Sequence, residues 1–245
     1  MFIPSLLVIL GFMLVHIFSD AIRLLHERMT NRLMSVVSGG SIAYVFLHLV
    51  PELTHYQEVA EKAHLGSWLE NVDYITYISA LLGIAVFYGI NHLSVKSEQK
   101  NRQQENLTRP AKPVFAIEIT AFALYNMLIG YLLPELSGDN IGAYAAYFVV
   151  FSFHFIANNR ILHLTHEDLY TRAGKWILAI SVLIGWVLSE TTHASDLTLA
   201  FLSSFLIGGV VLNILNDELP EEKKSSFPSF LLGMLFIIIL LQTIL

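Results

Sequence analysis

Residues 39–52 read GGSIAYVFLHLVPE and residues 208–221 read GGVVLNILNDELPE. Laid over one another without a gap, Gly39-Gly40 fall on Gly208-Gly209 and Pro51-Glu52 on Pro220-Glu221, at a constant offset of 169. Each stretch ends a long apolar run. The meaning of the match depends on what those runs are and on the direction in which each one travels.

The 245 residues are 55% hydrophobic and 14% charged, with mean hydropathy +0.60. A soluble domain carries about 25% charged residues, so this composition reads as a polytopic membrane protein. With no cysteine, disulfide frameworks, thiolate metal sites and haem-attachment motifs are excluded. The net charge of −6 says less than the placement of the charges. The opening run FIPSLLVILGFMLVHIFSD has no basic flank and no small-residue cleavage site, so a retained helix is expected there.

Eight apolar segments follow in order, at roughly 2–19, 33–51, 72–93, 113–134, 141–162, 174–190, 196–216 and 227–245, each about a membrane thickness in helical form. All seven prolines sit at or near segment ends. The longest polar connection, 94–112, is rich in Gln, Asn and Lys and reads as a cytoplasmic loop. Of the 14 Lys and Arg residues, all but Lys62 belong to odd-numbered connections. Arg23, Arg28 and Arg32 follow segment one. Lys96, Lys100, Arg102, Arg109 and Lys112 follow segment three. Arg160, Arg172 and Lys175 surround the end of segment five, and Lys223 and Lys224 follow segment seven. Odd loops therefore face the cytoplasm and both termini lie outside, in the cell membrane.

On that orientation segment two runs outward and segment seven inward. Similar segments of opposite direction imply an inverted repeat, the plan of many secondary transporters whose sites lie near the bilayer midplane. The competing account is that Gly-Gly serves close helix packing and Leu-Pro-Glu ends a helix. If segments one to three mirror six to eight, segments four and five form the central pair. Both carry polar groups near mid-depth: Tyr125 and Asn126 in segment four, and His154, Asn158 and Asn159 in FSFHFIANNRILHLTHED (151–168). His154 and Asn158 are four apart and share a helix face. Polar groups at this depth mark a solute path or bind helices together by hydrogen bonds.

Taken together, these features resemble the ZIP family of zinc and divalent-metal transporters. GGSIAYVFLHLVPE is similar to that family's Gly-Gly…Leu-His-Leu-Leu-Pro-Glu signature, and GGVVLNILNDELPEE with its apolar last helix to the family's final two helices. The resemblance implies one all-α domain of eight transmembrane helices over 1–245, arranged three, two and three. It further implies transport of zinc or another divalent metal as substrate, with no enzymatic activity. In the family the metal is held by motifs of the type His-Asn-x-Pro-Glu-Gly and His/Gln-Glu/Asp-x-Pro-Glu-Gly on helices four and five. The first falls on residues 125–130 and the second on 154–159, which gives Tyr125, Asn126, His154 and Asn158 as the expected metal positions. Asn126, Gly130 and His154 are retained. Tyr125, Ile129, Phe155 and Asn158 stand where the family has His or carboxylates, and Ala157 stands for a proline. A site of one imidazole, amides and a phenol lacks the charge that compensates a desolvated dication, and without prolines there are no breaks to expose carbonyls at this depth.

A second candidate set, His163, His166 and Glu167, has spacings of three and four, suited to a divalent metal on one helix face. It lies about 13 Å to the cytoplasmic side of His154, where it also fits a solvated helix end. His48 and Glu52 stand i, i+4 at the outer end of segment two. Glu118 is the one carboxylate well inside a span, and His16 and His92 stand singly. The readings carried forward are a ZIP-type transporter with a modified site, moving a metal or less charged solute; a transport-inactive relative with a binding or regulatory role, as a homodimer; and a haem- or quinone-binding redox protein using His16, His48 and His154. The expected surroundings are the lipid bilayer and a metal ion or small solute; no nucleic-acid partner is expected.

Overall fold

Caps and turn residues fix where the apolar runs begin and end as helices. Asn140 accepts the Gly142 N–H (2.8 Å) and Ser195 accepts the Thr198 N–H (3.2 Å), each starting a helix. Pro113 stands in the first turn of a third, which ends at Gly138 with φ 51°. The structure is a computed structural model and describes residues 2–24, 27–62, 74–105, 110–138, 140–218 and 225–244. Every regular element among them is helical: α1 (Phe2–Ile17), α2 (Glu27–Tyr44), α3 (Val50–Lys62), α4 (Ile75–Glu105), α5 (Lys112–Ser137), α6 (Ile141–Leu169), α7 (Lys175–Thr191), α8 (Asp196–Asn213) and α9 (Phe227–Ile244). A 3-10 turn follows α1 at Ser19–Leu24. Three π-helical turns, Val45–Leu49, Tyr170–Gly174 and Ile214–Glu218, join or extend the α-helices.

Six of the helical stretches are long and apolar enough to cross a membrane, and Phe2–Ile17 is a shorter apolar helix. Eight separate spans were expected. The expected segments five and six lie in one helical run, Ile141–Thr191, of 51 residues. That run is roughly 77 Å long if straight, more than twice a ~30 Å hydrocarbon core. It is not straight. Phe12 stacks on Phe148, His16 meets Asn159 and Asp20 meets His163, so α6 travels alongside α1 in the same direction. Trp186 Nε1 donates to Ser5 Oγ (3.0 Å) and Lys175 Nζ to Asp20 (2.5 Å), so α7 returns in the opposite one. The reversal uses a non-helical residue, His166 (φ −134°, ψ 47°), and the π turn at 170–174. A second expectation fails at 94–112. Residues 94–105 continue α4, because their Gln, Glu, Lys and Arg residues are good helix formers. Residues 106–109 lie outside the described residues.

Close backbone approaches organise the bundle. A Cβ at Gly39 would collide with the Phe230 carbonyl of α9, and one at Gly233 with the Val36 carbonyl of α2. Likewise Gly208 of α8 faces the Ala80 carbonyl of α4, and Gly83 faces the Phe205 carbonyl. Between α5 and α7, Gly130 faces the Val182 carbonyl and Gly185 the Met127 carbonyl. These are the three most tightly packed helix pairs. Each is a crossing at which two glycines let main chains touch, where a Leu or Ile would hold them apart. The pairs build two groups: α1, α5, α6 and α7 in one, and α2–α3, α4, α8 and α9 in the other. The groups meet along a seam where α6 faces α2 and α9, and α5 faces α4 and α8.

Candidate functional site

Polar residues converge inside the first group from three helices. His16 of α1, fully buried, has Nδ1 2.9 Å from Asn159 Oδ1 of α6 and Nε2 2.9 Å from Asn126 Oδ1 of α5. Each amide is anchored by its other end: Asn126 Nδ2 donates to the Phe122 carbonyl (2.7 Å) and Asn159 Nδ2 to the Val15 carbonyl (3.5 Å). A neutral imidazole donates through one nitrogen only, so two carbonyl contacts require the doubly protonated ring or one amide turned over. Beside this triad the Tyr125 hydroxyl donates to His154 Nε2 (2.9 Å), and Asn158 Nδ2 donates to the same atom (2.8 Å). Phe155, fully buried, separates the two sets, with its ring 4.5 Å from that of His16.

The structure thus brings Tyr125, His154 and Asn158 together, as their shared depth and spacing led one to expect. It also shows where their ligating atoms are engaged. Nε2 of His154 is met by the Tyr125 hydroxyl and the Asn158 amide, and the Asn126 oxygen faces an imidazole. Sequence reasoning named His16 only as a single residue and as a ligand in the redox reading, and did not join it to Asn126 and Asn159, because no motif surrounds it.

His163 and His166 do not share one face. The backbone departs from helix at His166, whose Nε2 turns to the Glu118 carboxylate of α5 in a buried contact covered by the Phe115 ring. His163 turns the other way, toward Asp20 of the 3-10 turn after α1 (3.8 Å) and the Thr171 hydroxyl (3.4 Å). Asp20 is also paired with Lys175, and Ser19 bonds the Tyr170 hydroxyl (3.2 Å). These contacts tie together the ends of α1, α5, α6 and α7. Glu118, the carboxylate placed well inside a span from the sequence, is buried there. Among the described residues no group of three or more His, Cys, Asp or Glu side chains could hold a metal ion.

At the other end of the seam, His48 and Glu52 border a cavity of about 10 Å3 with Tyr44, Phe151, Leu206 and Val210, room for about one water. His92 stacks on Tyr88 at 6.2 Å. A larger crevice of about 420 Å3, walled almost wholly by apolar atoms, lies between α4, α5, α7 and α8 and shares the Tyr125 ring with the polar site. Two buried amides retain atoms with no partner among the described residues: Asn158 Oδ1, and both Oδ1 and Nδ2 of Asn213 on α8. No protein-family model matches the chain, and no curated protein matches its sequence.

Proposed function

We propose that the chain is a membrane transporter of the ZIP type whose midplane site is altered, moving zinc, another divalent ion or a less highly charged solute across the cell membrane. The observation that carries this reading is the correspondence between its halves. The π turn at Val45–Leu49 and the one at Ile214–Glu218 fall on each other at the offset of 169 already given by the two Gly-Gly motifs. The first of them has a local cause. Pro51 has no N–H, so the carbonyl of Leu47 loses its helical donor, and Val50 N–H bonds back to the Val45 carbonyl instead. Pro220 stands at the matching place in the sequence, outside the described residues. The glycine crossings match as well. Gly39 with Gly233 corresponds to Gly208 with Gly83, so the pairing of the second span with the last (α2·α9) is repeated by that of the seventh with the third (α8·α4).

The central pair supports the same reading. At the offset of 169, His16 falls on Gly185, and the alignment of the helix-four and helix-five positions puts Asn159 on Gly130. Where α5 and α7 cross through Gly130 and Gly185, α1 and α6 therefore cross through the His16–Asn159 hydrogen bond. Counting α6 and α7 as separate, antiparallel spans gives eight, three on each side of a central two. Two tightly locked groups meeting at a looser seam are what rocking alternating access requires. The test is uptake of radioactive Zn2+ into vesicles carrying the purified protein, with His154→Ala as the comparison. Uptake lost in the variant supports the reading, and uptake no faster than into empty vesicles, for zinc and for uncharged solutes alike, removes it.

One observation favours the second reading, a transport-inactive member with a binding or regulatory role. The donor and acceptor atoms of His16, Asn126 and Asn159 are engaged with one another or with main chain. On that reading they hold the helices together, and vesicle uptake stays at background while the variant loses stability.

A further inference from the structure

Building on the transporter reading, we infer that the seam site takes a small uncharged molecule that both donates and accepts hydrogen bonds, in place of a metal cation. The argument starts from Asn213. Its side chain is fully buried at the end of α8, and neither its oxygen nor its nitrogen has a partner among the described residues. Asn158 is buried too and holds one end on His154, leaving Oδ1 unpartnered. Such orphans are rare in native interiors and point to something that satisfies them, the more so at membrane depth.

The two amides approach the seam from opposite groups. Asn158 and Asn213 each lie seventeen residues after the first residue of their helix, Ile141 and Asp196, so they share a depth. The π turn that directly follows Asn213 packs against both α6 and α2. One turn before Asn213 on the same face, Gly209 lies against the Tyr125 ring, 3.2 Å from where its Cβ would be. The face of α8 that carries Asn213 thus meets Tyr125, the first member of the Tyr125–His154–Asn158 chain.

The chemistry of the orphan atoms selects the ligand class. A metal ion satisfies acceptors only, and a dehydrated dication also needs carboxylates to balance its charge. Whichever way round the Asn213 amide is set, it presents one donor and one acceptor. Its complement must therefore accept and donate, as a water, an alcohol or a small amide does. The neighbouring groups, a phenol, an imidazole and a second amide, are of the same kind. Glu118, the buried carboxylate of this group, is engaged with His166.

The experiment uses the whole protein in lipid vesicles, with radioactive glycerol and acetamide as uncharged probes and radioactive Zn2+ as the cationic one. Asn213→Leu keeps the side-chain volume and removes both polar atoms. The inference expects at least one uncharged probe to enter faster than into empty vesicles, with the variant slowed on the order of tenfold. Zinc that enters, unaffected by Asn213→Leu, while both uncharged probes stay at background overturns the ligand class and leaves the transporter reading standing. Background entry of all three probes removes the transporter reading, and the unfolding temperature then decides the site. A buried orphan with nothing bound is relieved by leucine, so an Asn213→Leu protein more stable than the parent overturns the inference. A less stable one supports it.

Discussion

Replacing His16 with leucine tests whether the buried triad is a structural bond or an incidental neighbourhood. Leucine fills most of the ring's volume, so the loss is chiefly electrostatic. Two amide ends, each 2.9 Å from a ring nitrogen, would be left inside the bundle with no partner. In a water-soluble core each such orphan costs about 1–3 kcal/mol. Single interhelical hydrogen bonds in a membrane average nearer ~0.6 kcal/mol, because the separated helices also find partners. Two bonds lost together, with both acceptors held in place by their own Nδ2 contacts to Phe122 and Val15, give an expected cost of about 2–4 kcal/mol. Equilibrium unfolding in mixed micelles by added SDS measures it directly. The triple variant with Asn126→Leu and Asn159→Leu should recover much of the loss, since removing both sides of a buried hydrogen bond is far cheaper than removing one. A His16→Leu protein within ~0.5 kcal/mol of the parent, or three changes whose costs simply add, would refute the reasoning.

Gly39→Ala and Gly208→Ala each drive a methyl into a facing carbonyl, so each should cost about 1–3 kcal/mol in the same assay; Gly89, with nothing near its Cβ position, should accept alanine freely, and equal tolerance at all three would count against the crossings. Cysteine at Glu98 should be shielded from an impermeant thiol reagent outside intact cells while cysteine at Glu61 is labelled, with no background from the cysteine-free parent; the reverse pattern overturns the orientation. Because His163 and His166 face different partners, His163→Ala with His166→Ala should leave Zn2+ affinity unchanged in isothermal titration, and a clear loss would restore the expected three-residue site. Ile129→Glu with Asn158→Glu returns two carboxylates to the altered motif and should raise Zn2+ affinity; destabilisation that metal does not relieve would break the alignment of residues 125–130 with 154–159.

Tyr125, His154 and Asn158 were legible because hydrophobic segments fix depth and the helical period fixes face, and together these bring three polar side chains to one level. His16 was not, because a single residue has no spacing and its partners lie 110 and 143 positions away. The separation of His163 from His166 was hidden for a different reason. Periodicity assumes an unbroken helix, and the backbone breaks at His166 itself. The polar stretch 94–105 looked like a loop because it is hydrophilic, whereas helix propensity and continuity with α4 prevail there. Proline was read as mere punctuation in residues 39–52, yet its missing N–H draws the preceding turn into a π-helix.

The reversal between α6 and α7 has no loop, and beyond the break at His166 the π turn at 170–174 carries the chain straight into α7. Elsewhere an inserted or deleted residue can be absorbed by a loop; here the residues from Glu167 to Thr191 follow one another in helical turns. Removing Thr171 would rotate all that follows by about 100° relative to α6. Gly185 would then swing away from Gly130, and a bulky neighbour would take its place at the crossing. The length of this stretch is therefore as strictly specified as its chemistry. Single-residue insertions or deletions between His166 and Lys175 should be the least tolerated length changes in the described chain.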